Sequence, residues 1–362
     1  VTTVFITNIP APYREKVHEI ASEKLSGDYC VLYCAKIESN RKWNFSLGNY
    51  NKRFLKSRII KFRGRNIYLD SNIRNILNEI KPEVIVIGGF SMPMIAAYLW
   101  ALFNDKKVVS FSDANLHSES KLSFFHKGIR KIFYGVSQAF VGASKKTQDL
   151  FRTYGAKEEQ LFQSHLCANN SLLFQYDKSF DNREYDIILC GQMIESKMFD
   201  FSLDVVRRIK EIRSDVSVKV LGSGPLKEHI LNRLDSMAIK YDYPGFVSQE
   251  ELPTHYSSSK VFFFPTRKEA WGVVANEACA SGTPVISTPE AGAANELIVN
   301  DHNGFVLKPD VNEWADAALH LLTDADKWAE FSKNAKNAVK KYSYFNAAQG
   351  IVNASEFVRK KS

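Results

Sequence analysis

Glu269 and Glu277 lie eight residues apart, and Gly272 stands between them at the head of an apolar run. Their setting is the stretch 261–298, VFFFPTRKEAWGVVANEACASGTPVISTPEAGAANELI. Val261 to Phe264 is unbroken apolar sequence, the pattern of a buried strand, and Pro265 and Thr266 end it. Val273 to Ala280 follows as a helix opened at Gly272. Ser281-Gly282-Thr283-Pro284 stops that helix, and Val285-Ile286-Ser287 reads as the next buried strand. A helix start leaves backbone N–H groups unpaired and carries positive dipole character, so it can hold a phosphate. One carboxylate can then take ribose hydroxyls, while the other lies near whatever a diphosphate carries. The arrangement suits a diphosphate nucleotide. The plain alternative is a βαβ unit whose glutamates are solvated surface charges.

The chain that must position these residues has 362 of them, enough for two domains with full cores. Its hydrophobic content of 45% and charged content of 24% are those of a globular protein. Val4-Phe5-Ile6 reads as a first strand, followed by the proline-punctuated loop Asn8 to Arg14 and a helix from about Glu15 to Lys24. Cys30 to Cys34 is a second strand. Val84 to Phe103 carries no charge over twenty residues, long enough to span a bilayer. Gly88-Gly89 and Pro93 split it into a strand, Val84 to Ile87, and a helix, Met94 to Phe103, each suited to a two-sided α/β core. Lys107 to Phe111 is the next strand, and Asp113, Asn115 and His117 fall just beyond its C-terminal end, where open parallel sheets hold ligands. Ser144 is placed to cap a helix from Lys145 to Tyr154. The expected division is a first domain at 1–170, a polar linker at 171–184, a second domain at 185–341 and a terminal helix at 342–362.

Charge is uneven along the chain. Residues 1–170 hold 25 Lys and Arg against 14 Asp and Glu, whereas the remainder holds 23 against 26. A basic half beside a near-neutral half points to an acidic partner for the first domain. The run Asn51 to Arg65 carries Lys52, Arg53, Lys56, Arg58, Lys61, Arg63 and Arg65 interleaved with Phe, Leu and Ile. Such a run suits an anionic membrane surface. A strand with one solvated basic face and a nucleic-acid surface are the alternatives. A second basic segment, Lys121 to Tyr134, reads as an amphipathic helix. Leu122, Phe125, Ile129, Ile132 and Phe133 form a stripe expected to pack inward, with interfacial docking as the other reading. The five cysteines are scattered and show no zinc spacing, so free thiols in a reducing compartment are expected. No leader is expected ahead of the first strand.

The central stretch resembles the donor-binding segment of retaining glycosyltransferases of the GT-B fold, specifically family 4, the glycosyl transferases group 1. Their pattern is a Glu, seven residues, a second Glu, then Ala-x-Ala-x-Gly-x-Pro-Val-Ile. Here it stands as Glu269, Glu277, Ala278, Ala280, Gly282, Pro284, Val285 and Ile286. Gly292 and the Asn303-Gly304-Phe305 turn also fit. Upstream, Gly191-Gln192-Met193-Ile194-Glu195-Ser196-Lys197 is similar to the family's Gly-Arg-x-x-x-x-Lys, with Gln192 in the place of the Arg. Gly222-Ser223-Gly224-Pro225 resembles the family loop beside the nucleotide, and Tyr243 to Val247 the segment whose backbone meets the base. The Asn8 to Arg14 loop resembles a subgroup found in bacterial polysaccharide and lipid-linked glycan assembly.

This resemblance implies an α/β protein of two Rossmann-like domains facing across a cleft, with the terminal helix crossing back onto the first. It implies transfer of a sugar from a GDP- or UDP-sugar to a hydroxyl of a glycan or lipid-linked acceptor, with retained anomeric configuration. In that scheme Glu269, with His117 and Asp113, stands at the reacting centre. Lys197, Gln192, Gly191, Gly224, Phe246, Val247, Trp271, Gly272, Val273 and Glu277 bind the donor, Glu277 through the ribose. Arg14 and Asn115 face the acceptor. Lys52, Arg53, Lys56, Arg58, Lys61 and Arg63 face an anionic membrane. No metal and no cofactor are expected, the nucleotide-sugar being a substrate, and no nucleic-acid partner. The expected location is cytoplasmic, peripheral on the inner face of the plasma membrane. The rival reading is a non-catalytic membrane- or nucleic-acid-binding protein on a retired fold of this type.

Overall fold

The computed structural model describes residues 2–38, 46–62, 65–69, 72–120 and 122–360. They make two compact units, Val1–Leu166 together with Tyr344–Ser362, and Cys167–Ser343. The first unit ends at Leu166, where the sequence suggests 170.

Its strands are β1 (Thr2–Thr7), β2 (Asp28–Tyr33), β3 (Asn51–Phe54), β4 (Arg58–Phe62), β5 (Arg65–Leu69), β6 (Val84–Ile87), β7 (Lys107–Ser112), β8 (Ala139–Gly142) and β9 (Leu161–Gln163). Among the described residues, seven of these form a parallel sheet ordered β3-β2-β1-β6-β7-β8-β9. β1 is an interior strand, with Val4 opposite Cys30 on one side and Ile85 on the other. All four residues of β6 are buried, as a strand with helices over both faces must be. The uncharged run 84–103 divides into β6 and the helix Met92–Phe103, which has Pro93 in its first turn. No helix among the described residues is long and apolar enough to cross a membrane. β4 and β5 stand apart as an antiparallel pair with Ile59 opposite Tyr68. The basic run 51–65 is therefore three strands' worth of different environments and not one element. The helix Tyr344–Lys360 belongs to this unit, where Arg359 donates to the Ser26 carbonyl and to Thr3 Oγ1.

The second unit carries β10 (Tyr185–Cys190), β11 (Ser217–Leu221), β12 (Lys240–Gly245), β13 (Ser259–Phe264), β14 (Val285–Ser287) and β15 (Gly304–Val306). They form a parallel sheet ordered β12-β11-β10-β13-β14-β15. This is the doubly wound order in which chain direction across the sheet reverses between the first and fourth strands, here β10 and β13. The helices Val311–Thr323 and Ala325–Val339 follow the sheet and begin on the side chains of Asp310 and Asp324, which accept backbone N–H bonds. Trp314, fully buried, packs its ring edge-on against Phe263 of β13.

Within 171–184 the chain makes short helical turns and ends on a buried cation. Arg183 is 3% exposed and donates to the carbonyls of Lys178, Tyr256, Ser259 and Ser281 and to Thr283 Oγ1. Its guanidinium lies over the Trp328 ring, 4.6 Å from the centroid. Burial lowers its pKa to about 10, still charged at neutral pH. Arg183→Met removes five hydrogen bonds inside the unit, and each buried acceptor left without another donor costs about 1–3 kcal/mol. Urea unfolding should show the second unit destabilised by about 3 kcal/mol or more, and a loss below about 1 kcal/mol would contradict this anchoring role.

Candidate active site

The reversal of strand order between β10 and β13 leaves a crevice beyond their carboxyl ends. The loops leaving those two ends carry Lys197 and Glu269. Lys197 closes a short turn, Glu195–Lys197, after which Met198 adopts a left-handed conformation and the helix Phe199–Ile212 begins. The Ser196 carbonyl accepts from the Arg267 N–H at 2.9 Å and from Thr266 Oγ1 at 3.1 Å. These two bonds join the loops, and the Lys197 ammonium pairs with Glu269 Oε2. Both side chains keep access to solvent, at 21% and 25% exposure.

Two glycines permit this packing. Gly272 has φ of 95°, and a Cβ there would lie 2.3 Å from the Phe264 ring, so the helix Val273–Ala280 can start only on glycine. Gly222, with φ of 117°, approaches the Gly191 carbonyl so closely that a Cβ would sit 1.9 Å from its oxygen. The Gly222-Ser223-Gly224 loop thus braces the β10 loop. The Gly191 N–H donates to the Leu221 carbonyl, and the Met193 N–H to the Ser223 carbonyl. Gln192 is exposed beside them, and Val273 is partly exposed at the helix start. Phe246 is 62% exposed and Val247 partly so, just past β12.

Glu277 lies one turn into the helix, half-buried. Its Oε2 accepts from the Tyr256 hydroxyl at 3.1 Å. Burial pushes its carboxyl up to about 7, and the tyrosine bond pulls the other way. A cavity opens beside it, lined by Ala168, Asn169, Leu172, Gln249, Val273 and Glu277. Asn169 caps the short helix Asn170–Leu173 by accepting from the Leu172 N–H.

Trp271 is corrected. Its side chain is fully buried, donates to Asn276 Oδ1 at 2.7 Å and packs on Tyr342, so it forms wall and not contact surface. Tyr256, Leu172 and Gln249 were missed. Tyr256 sits in a helix 21 residues before Glu277 and carries no local motif, and no spacing rule places Leu172 or Gln249 beside the cavity.

In the first unit the structure unites Arg14 and Asp113, 3.2 Å apart. Arg14 is buried, and its guanidinium also donates to Ser164 Oγ, to the Ser164 carbonyl and to the His165 carbonyl. It clamps its own helix, Pro12–Lys24, to two other segments of its unit, which corrects the expectation of an acceptor-facing cation. Asn115 is likewise structural. It is buried, and its Oδ1 accepts from the Ser118 N–H at the start of the turn Leu116–Ser120. His117 is exposed on that turn, and Asp113 keeps 39% of its side chain exposed.

Of the basic run, Lys52 bonds the Gly48 carbonyl and lies over the Tyr50 ring, and Arg53 pairs with Glu79. Lys52 is thus drawn back to its own loop, while the Arg53–Glu79 pair lies on the surface. Lys56, Arg58 and Lys61 are exposed, and Arg63 lies outside the described residues.

Comparison with known proteins bears on the second unit first. Residues 174–338 match the family of glycosyl transferases group 1. An uncharacterised glycosyltransferase of Methanocaldococcus jannaschii is 27% identical over 198 residues, 53% of this chain and 50% of that one. The GDP-mannose-dependent alpha-(1-6)-phosphatidylinositol monomannoside mannosyltransferase of Mycobacterium tuberculosis is 28% identical over 39% of each chain. The chain thus spans half or less of the length of these curated relatives. The Anabaena protein HepE, solved with UDP and glucose, superposes with a TM-score of 0.73 over 99% of both chains at 15% identity. The group 1 match and this likeness agree on an α/β protein with the GT-B glycosyltransferase fold.

The Glu277 environment has a measurable consequence. A carboxyl whose folded pKa lies above its ordinary 4.5 holds more protons folded than unfolded. Its contribution to stability therefore falls as pH rises from about 4.5 to about 7, by on the order of 3 kcal/mol across that window. Glu277→Gln should flatten the pH dependence of denaturant unfolding between about pH 5 and about pH 8. Equal slopes for parent and variant would contradict the buried-carboxyl account.

Proposed function

We propose that this protein is a retaining glycosyltransferase of family 4, moving a sugar from a GDP- or UDP-sugar to a hydroxyl of a glycan or lipid-linked acceptor. The observation that carries the reading is the meeting of Lys197 and Glu269 beside Gly272, at the strand-order reversal of the second sheet. The group 1 match over 174–338 supports it, since that match spans both residues and Glu277.

Breaking the bond between the anomeric carbon and the diphosphate places negative charge on the departing phosphate. The Lys197 ammonium and the N–H groups at the start of the Val273–Ala280 helix oppose that charge. An arriving diphosphate offers Lys197 a second anion and leaves Glu269 facing the sugar, whose ring gains positive character as the bond breaks. The leaving phosphate takes the acceptor proton on the same face, which keeps the anomeric configuration. This division of roles calls for no metal. Glu277, with Tyr256 behind it, takes the ribose hydroxyls at the mouth of the cavity.

The excess of cations in residues 1–170 supports an acceptor held at an anionic membrane, with the enzyme cytoplasmic and peripheral on the inner face of the plasma membrane. One observation favours a second reading. Gln192 is exposed and uncharged where a cation would help neutralise a diphosphate, as a non-catalytic binding protein on a retired fold would tolerate.

Thermal unfolding with GDP, UDP and ADP decides between them. A true ligand at about a hundredfold over its Kd adds about 2.7 kcal/mol, and one of the three should do so. No shift with any would sink the transferase reading and bring the second forward. Lys197→Met should lower donor turnover about a hundredfold or more with thermal stability kept. Turnover within about threefold of the parent would remove Lys197 from its role.

A further inference from the structure

We propose that the helix Phe124–Gly135 is the element that docks the first unit on an anionic lipid surface, an inference that rests on the membrane-held acceptor proposed above. With 3.6 residues per turn, one arc of this helix reads, in angular order, Lys127, Lys131, Phe124, Gly128, Ile132 and Phe125. Phe124 is 92% exposed, Phe125 73% and Ile132 64%, and Lys127 and Lys131 are exposed beside them. The stripe expected to pack inward is therefore divided. Phe133 is buried and Ile129 partly so, while Phe125 and Ile132 face water. Lys121, the expected start of the helix, lies outside the described residues.

The helix is held firmly from behind. Phe133 stacks on Tyr98 with centroids 4.7 Å apart. Arg130 pairs with the buried Glu119 at 2.5 Å and lies over the Phe90 ring. The cation on the inner side thus has an acid, whereas Lys127 and Lys131 have no ion-pair partner among the described residues. Two phenylalanines and an isoleucine on a fixed helix, with lysines along one margin, match the division of a membrane surface into acyl chains and anionic headgroups.

The same arc is poorly suited to a second copy of the chain. A two-fold contact would set Lys127 and Lys131 against themselves, and the arc holds no acid to answer them. Nucleic acid would answer the lysines but leave Ile132 and Phe125 in water. The basic run 51–65 is the weaker candidate for docking, because Lys52 and Arg53 are engaged within the unit.

The test uses the full chain and sedimentation with phosphatidylcholine vesicles, with and without phosphatidylglycerol. The parent should bind the phosphatidylglycerol vesicles and not the others. Phe124→Ser, Phe125→Ser and Ile132→Ser together should weaken that binding about tenfold or more. Lys127→Glu with Lys131→Glu should also weaken it about tenfold or more, since each cation is worth about fivefold. Lys56→Ser, Arg58→Ser and Lys61→Ser together should leave the Phe-dependent binding in place. Unchanged binding by the Phe variant overturns the proposal. So does a concentration-dependent dimer without lipid that the Phe variant abolishes, since the arc is then a protein interface. The nucleotide-induced thermal shift of each variant is read alongside as a check of folding. A shift without vesicle binding overturns the docking alone, and vesicle binding without a shift supports the docking while overturning the transferase reading alone.

Discussion

β10 and β13 are adjacent and parallel, yet the chain departs from them toward opposite edges of the sheet. Right-handed crossovers then put the following helices on opposite faces, so no helix covers the gap beyond the two strand ends. That topological constraint creates a place in the second unit where two loops can meet over open space. Lys197 and Glu269 occupy those loops, and the Ser196 carbonyl ties them together through Arg267 and Thr266. The tight glycine contacts serve the same end, since a side chain at Gly222 or Gly272 would push the loops apart.

The two glutamates of the central stretch share a helix start but not an environment. Glu269 answers a lysine 72 residues upstream, and both side chains remain partly in water. Glu277 sits against Tyr256 and the cavity wall, where burial raises its carboxyl toward neutrality. Different surroundings give the same functional group different roles. One carboxylate pairs with a lysine at the opening. The other is held away from water against a tyrosine hydroxyl, which favours its protonated form more than open solvent would.

The first unit shows why a count of cations is a poor map of a surface. Arg14 is consumed by carbonyls and Asp113 inside its unit, Lys52 bends back to its own loop, and Arg53 finds Glu79. Phe124, Phe125, Ile132, Lys127 and Lys131 of the Phe124–Gly135 helix face solvent together, because its apolar side chains are too many for one buried stripe.

Much was legible in the sequence because it is local. β6 at Val84–Ile87, the helix Val273–Ala280 and β14 at Val285–Ser287 follow from apolar runs cut by glycine and proline, signals carried by neighbouring residues. The Glu269–Glu277 spacing and the later helices were equally plain. What no window of sequence could decide was partnership across long separations. Arg183 reads as a polar residue in a linker and is a buried anchor, Trp271 reads as a site residue and is core, and Tyr256 gives no sign of its place beside Glu277. The sequence by itself determined the elements, the two-unit α/β plan and the residue types at the site. Tertiary structure alone decided which charges are paired, buried or free, because desolvation and ion pairing depend on distances that only the folded sheet order sets.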